Sequence, residues 1–274
     1  MSVENSLNEF CKTLKSKYRD YIYYFNGLED FPCRNDSIFN NIKVYSLDRI
    51  KEAEKFKGKS FDSFIIFTEE ILFIEYFHPY STEFDDFIKE VLTKSKYSLD
   101  IIIEKIDEDL GKNKELLDPL KEEILSKIKN SKNLIKNNLY LKKYIGSFDK
   151  DLCSFYIIVD MRRNINIPFE KNLKDSIYKN LKDPIYLLKR KRNFKSATEK
   201  NIEKDKEYNT DFGIKNMISK YKTKILDINK RNIIMFLENS FKNLKNIHVG
   251  DCSSFVIYIR DLTEFIKCPK PEEQ

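Results

Sequence analysis

Residues 61–78 read FDSFIIFTEEILFIEYFH, two apolar stretches separated by Thr68-Glu69. β-branched and aromatic residues dominate both stretches, which is the composition of strands rather than of surface helices. With Thr68-Glu69 as a two-residue turn, Phe67 faces Glu70 and the register sets Asp62 opposite Glu75. Directly opposed residues of an antiparallel pair have Cβ atoms about 4.5–5.5 Å apart. Two carboxylates at that separation can share one divalent cation, a hard ion that takes clustered oxygen ligands. Asp62 and Glu75 are therefore the candidate metal ligands, with Mg²⁺ or Mn²⁺ as the expected cofactor of any enzyme built on them.

Outward from the hairpin, apolar residues at Leu7, Phe10, Leu14, Tyr18, Tyr21 and Phe25 recur at helical spacing, predicting a helix over about 2–26. A short apolar segment, Ile42–Tyr45, and a helix from Leu47 to Phe56 lead into the hairpin. Beyond Pro79, Ser81 opens a further helix, and residues 99–145 read as two helices broken near Gly111. Leu152–Val159, LCSFYIIV, is a nearly continuous apolar run suited to a strand buried on both faces. Residues 169–188 look helical, 189–210 read as an exposed charged loop, and helices are expected over 212–226 and 229–244. Ser254–Ile259, SFVIYI, is read as a last strand, with a short helix starting at Leu262. Strands separated by helices predict an α/β (α+β) fold, helix-rich, with helices against a mixed sheet. The expected organisation is a single domain over 1–274 with a helical insertion at about 98–146 and a basic loop at about 189–210.

Composition narrows the classes. A chain of 274 residues with 41% hydrophobic and 14% aromatic residues can bury a sizeable core. It contains no GxGxxG or GxxxxGK[ST] phosphate loop and has only 6 glycines. Five scattered cysteines without a CxxC suggest neither a zinc site nor a disulfide framework. His78 and His248 are the only histidines, and His78 beside Pro79 reads as a packing residue. No apolar run nears the roughly 20 residues that span a bilayer, and no signal-peptide core opens the chain. A cytoplasmic, reducing location is expected, nuclear if the source is eukaryotic, with no membrane partner.

The net charge of +6 is concentrated: residues 171–206 hold 12 Lys/Arg against 5 Asp/Glu. Its centre is Lys189, Arg190, Lys191 and Arg192, followed by Lys195, with Tyr186 and Phe194 alongside. Such a loop neutralises phosphates with release of counterions, and the rings can stack on unpaired bases. Arg162 and Arg163, just past the buried strand, are candidates for the same nucleic-acid-binding surface. The plain alternative is a solvated loop or a nuclear-localisation signal.

An antiparallel pair carrying Asp and then Glu, followed by a helix and two further apolar strands separated by helices, resembles the PD-(D/E)xK nuclease superfamily. The resemblance covers about residues 40–100 and 150–165 and the last strand. It implies a restriction-endonuclease-like core in which Asp62 and Glu75 bind the metal. A lysine two residues after the Glu helps to position or activate the attacking water in that family. This chain has Phe77 at that position, and Phe61 rather than Pro before Asp62. Some members supply the lysine from a neighbouring element, which makes Lys89, or Lys94, the candidate third catalytic residue. The expected function is a nucleic-acid-associated phosphodiesterase acting on DNA or RNA. The alternative is an inactive nuclease fold, or a helical interaction protein that joins a larger assembly through its helical region.

Overall fold

The antiparallel pair read from residues 61–78 lies in the middle of a six-stranded mixed sheet. The computed structural model describes residues 3–28, 31–33, 36–67, 70–77, 86–87, 90, 99–138, 152–160 and 202–262. In chain order these form α1 (Val3–Lys17), β1 (Ile22–Tyr24), β2 (Lys43–Ser46), α2 (Leu47–Ala53), β3 (Ser63–Ile66) and β4 (Ile71–Phe77). Then come α3 (Leu99–Lys112), α4 (Lys114–Asn133), β5 (Cys153–Val159), α5 (Ile202–Phe241), β6 (Ile247–Gly250) and α6 (Cys252–Leu262). The sheet order is β1-β2-β3-β4-β5-β6. The first three pairings are antiparallel and the last two, β4 with β5 and β5 with β6, are parallel. This is the α/β class with a mixed sheet that the sequence suggests.

The chain divides into two compact units. One comprises Met1–His78, Leu117–Asp160 and Ile234–Gln274 and holds the whole sheet; the other comprises Pro79–Leu116 and Met161–Ile233. In the sheet unit every residue of β4 and of β5 is buried, as expected of strands covered on both faces. One face meets α4: Ser131 Oγ accepts the Phe61 N–H at 2.8 Å, and the Lys132 ammonium sits over the Phe155 ring. The opposite face carries Leu72, Ile74, Tyr76, Tyr156 and Ile158 against Phe255 and Ile259 of α6. Phe25, Phe31 and Phe39 complete that cluster, with ring centroids 4.6–5.2 Å apart.

In the second unit, Ile103, Ile106 and Leu110 of α3 and Ile225, Ile228 and Ile233 of α5 are buried. Asp107 accepts hydrogen bonds from Arg231 and, at 2.6 Å, from Asn232.

Several expectations need correction. The N-terminal helix stops at Lys17, and residues 22–24 pair with β2 as an edge strand. Ser254–Ile259 is helical, not a strand. Asp251 caps it, accepting the Ser254 N–H at 3.1 Å, and Phe255 and Ile259, one turn apart, are its buried face. The last strand is instead β6, just upstream. The two helices expected over 212–244 are one, α5, which also takes in residues 202–210 of the expected loop. No proline interrupts that stretch to end the helix. Cys33 and Cys252 form a disulfide across 219 residues, a pairing that no local spacing announces. Among the described residues no helix is long and apolar enough to cross a membrane.

Candidate functional site

The β3–β4 register is the one read from the sequence. Ser63 pairs with Ile74 and Ile66 with Ile71, and the Phe67 N–H donates to Glu70 O at 2.8 Å. One step past Ser63–Ile74, Asp62 stands across from Glu75. Here the regular ladder ends. The Asp62 N–H reaches Ile74 O at 3.2 Å, and the Tyr76 N–H donates to Asp62 Oδ2 at 2.6 Å. The Asp62 side chain thus does what a backbone carbonyl does elsewhere in the ladder, and this orients its carboxylate toward β4. The Asp62 carbonyl accepts the Leu47 N–H at 2.8 Å, tying the same residue to the start of α2.

Glu75 points to the α4 face and is 1% exposed. Its Oε1 accepts a hydrogen bond from Lys127 Nζ of α4, closing an ion pair between sheet and helix. Its Oε2 is buried and has no hydrogen-bond partner among the described residues. Burial strips water from the Glu75 carboxyl and the Asp62 charge faces it, so it is held well above the usual carboxylate range despite Lys127. Burial alone would lower Lys127. The charges of Glu75, Asp62 and Glu123 outweigh it and hold the ammonium above its ordinary value. Glu123 lies 3.9 Å from Lys127, one turn away on α4, and 3.2 Å from Lys59.

The structure therefore brings Asp62 and Glu75 together and adds Lys127, which the sequence reading did not single out. Phe77, at the position where the nuclease pattern has its lysine, is 4% exposed at the end of β4, paired with Val159. Lys89, Lys94, Arg162, Arg163, Lys189, Arg190, Lys191, Arg192 and Lys195 lie outside the described residues. One sequence signal for Lys127 existed. It lies three residues after Ile124 and four before Ser131, both fully buried, so it is a cation on the inward stripe of its helix.

Chemically, the cluster is a pair of facing carboxylates with one ammonium that is hydrogen-bonded to Glu75 and feels the charge of Asp62. Among the described residues no group of three or more His, Cys, Asp or Glu side chains converges as a ready-made metal cage. Two carboxylates, one with a buried oxygen that has no hydrogen-bond partner among the described residues, are oxygen donors of the kind a divalent ion takes. Comparison with protein-family models, with curated proteins and with solved structures finds no match for the chain.

Proposed function

We propose that the protein is a divalent-metal-dependent phosphodiesterase acting on nucleic acid, with Asp62 and Glu75 as metal ligands and Lys127 as its cationic partner. The observation that carries this reading is the convergence of those three side chains at one level of the sheet. The unpartnered Glu75 Oε2 supports it, because a buried carboxylate oxygen without a donor costs on the order of 1–3 kcal/mol unless a cation satisfies it. A bound Mg²⁺ or Mn²⁺ would supply charge stabilisation and a more acidic water. Lys127 would place a fixed positive charge beside the phosphate, the part that the resemblance to PD-(D/E)xK nucleases assigns to a lysine two positions after Glu75. The sheet order supports the same reading, since an antiparallel Asp/Glu pair runs into two further parallel strands.

The test is incubation of the purified protein with labelled single- and double-stranded DNA and RNA, with Mg²⁺, with Mn²⁺ and with EDTA. Metal-dependent cleavage is expected, reduced at least about a hundredfold in Asp62→Asn and in Glu75→Gln. Cleavage that survives both changes would remove this site from consideration. A second reading has one observation in its favour, the near-complete burial of Glu75. On that reading the Glu75–Lys127 pair is structural, and the protein binds nucleic acid or a protein partner without cleaving. A salt-sensitive complex that resists cleavage under every metal condition would select it.

A further inference from the structure

A second concave site lies on the opposite face of the sheet, beside β6 and between the C-terminal end of α5 and α6. It encloses about 560 Å³. Its aromatic wall is a run of three rings: Tyr156 to Tyr258 at 5.0 Å between centroids, and Tyr258 to His248 at 4.8 Å. Gly250 makes this packing possible. A Cβ there would lie 2.6 Å from the Tyr156 hydroxyl and 2.9 Å from Ser254 Cβ, so any larger residue would displace the ring. Burial holds His248 below its ordinary value, with the Glu70 charge opposing. At neutral pH it therefore presents a neutral ring, both a stacking surface and a hydrogen-bonding edge.

Lys242 and Lys245 also line the site. Both are exposed, and neither forms an ion pair among the described residues. Glu238 and Asp261 are there too, so the lining is balanced in charge and does not select a bare phosphate. What it offers is an aromatic wall of mutually tilted rings, acceptors for exocyclic amines, and two cations without an ion pair among the described residues. That combination matches a planar nitrogen heterocycle carrying an anionic group.

We propose that this groove binds an unpaired nucleobase with its flanking phosphate, the base stacking on His248 and Tyr258 and the phosphate meeting Lys242 and Lys245. Its substrate class follows from the phosphodiesterase reading, whereas its residues are separate from Asp62, Glu75 and Lys127. Glu75 and the groove stand on opposite faces of the sheet, and β4 and β6 lie two strand spacings apart, about 10 Å. A strand gripped there would be held away from the carboxylates, as an anchoring subsite.

The experiment is fluorescence anisotropy of a labelled single-stranded oligonucleotide in EDTA, with AMP and dAMP as competitors. Base stacking predicts about tenfold weaker binding in His248→Ala, and removal of both cations a similar loss in Lys242→Ala/Lys245→Ala. The lysine variant alters only exposed side chains, so its fold is secure if His248→Ala unfolds. Competition by mononucleotides assigns a nucleotide pocket, and its absence with tight strand binding assigns a nucleic-acid subsite; either supports the proposal. Unchanged affinity in the lysine variant, or no saturable binding at all, overturns it. Asp62→Asn separates the two sites. Groove binding without any metal-dependent cleavage by the wild-type protein defeats the phosphodiesterase reading alone, and cleavage without groove binding defeats the groove alone.

Discussion

The two faces of the central sheet are built from the same strands and solve burial differently. On the α6 face, Leu72, Ile74, Tyr76, Tyr156 and Ile158 meet Phe25, Phe31, Phe39 and Phe255, and a disulfide joins Cys33 to Cys252 at its border. On the α4 face, the alternate residues of β4 and β5 include Glu75, held by Lys127 and faced by Asp62. A single strand, β4, therefore sends apolar and aromatic side chains one way and a nearly desolvated carboxyl the other. The first arrangement is what hydrophobic burial alone would select. The second costs stability, because a buried carboxyl keeps one oxygen without a hydrogen-bond partner among the described residues.

This contrast can be broken first at the aromatic face. Phe255 is fully buried against Phe25, Phe39 and Tyr156. Phe255→Ala is expected to cost about 3–5 kcal/mol, the same at pH 5 and pH 8, in urea unfolding. A cost that varied strongly with pH would show that the faces are not independent.

At the charged face, Lys127→Met leaves Glu75 buried without its cation, an expected loss of about 3 kcal/mol at pH 7. The sign with pH follows from the raised Glu75 carboxyl. A group whose folded value lies above its unfolded one binds more protons in the native state. Its contribution is complete below about pH 4.5 and declines as pH rises toward the folded value. The Lys127→Met deficit should therefore be smallest near pH 4.5 and grow with pH. A deficit independent of pH would mean that Lys127 acts by packing alone.

The disulfide, which closes a loop across 219 residues, is the third point of attack. Cys33→Ser should lower stability by about 2–4 kcal/mol under oxidising conditions and by nothing measurable under reducing ones. An equal loss under both would assign the effect to packing of the buried Cys33 side chain rather than to the cross-link.

The hairpin was legible because strand side chains alternate with period two and a two-residue turn leaves only one register that pairs the apolar stretches. Asp62 and Glu75 followed directly. Lys127 did not, because a lysine on a Lys/Glu-rich helix is ordinarily solvated, and only its place on the inward stripe distinguishes it. SFVIYI at 254–259 misled because a short apolar run fits a buried strand and a helix equally well. The deciding residue, the cap Asp251, lies outside the run. The Cys33–Cys252 pairing depends on bringing the N-terminal loop to the last helix, which only the folded sheet does.

The sheet order also implies a sequence of assembly. β1 to β4 pair as neighbours within residues 22–77, so their contacts close short loops. β5 joins β4 only after the chain has travelled from Phe77 to Cys153, and β6 joins β5 after a further excursion to Ile247. Long closures come late and slowly in folding. The carboxylates Asp62 and Glu75 would accordingly meet in the early antiparallel half, before α4 delivers Lys127. For that interval Glu75 lacks the Lys127 ammonium, and its carboxyl enters the closing sheet more readily protonated than charged.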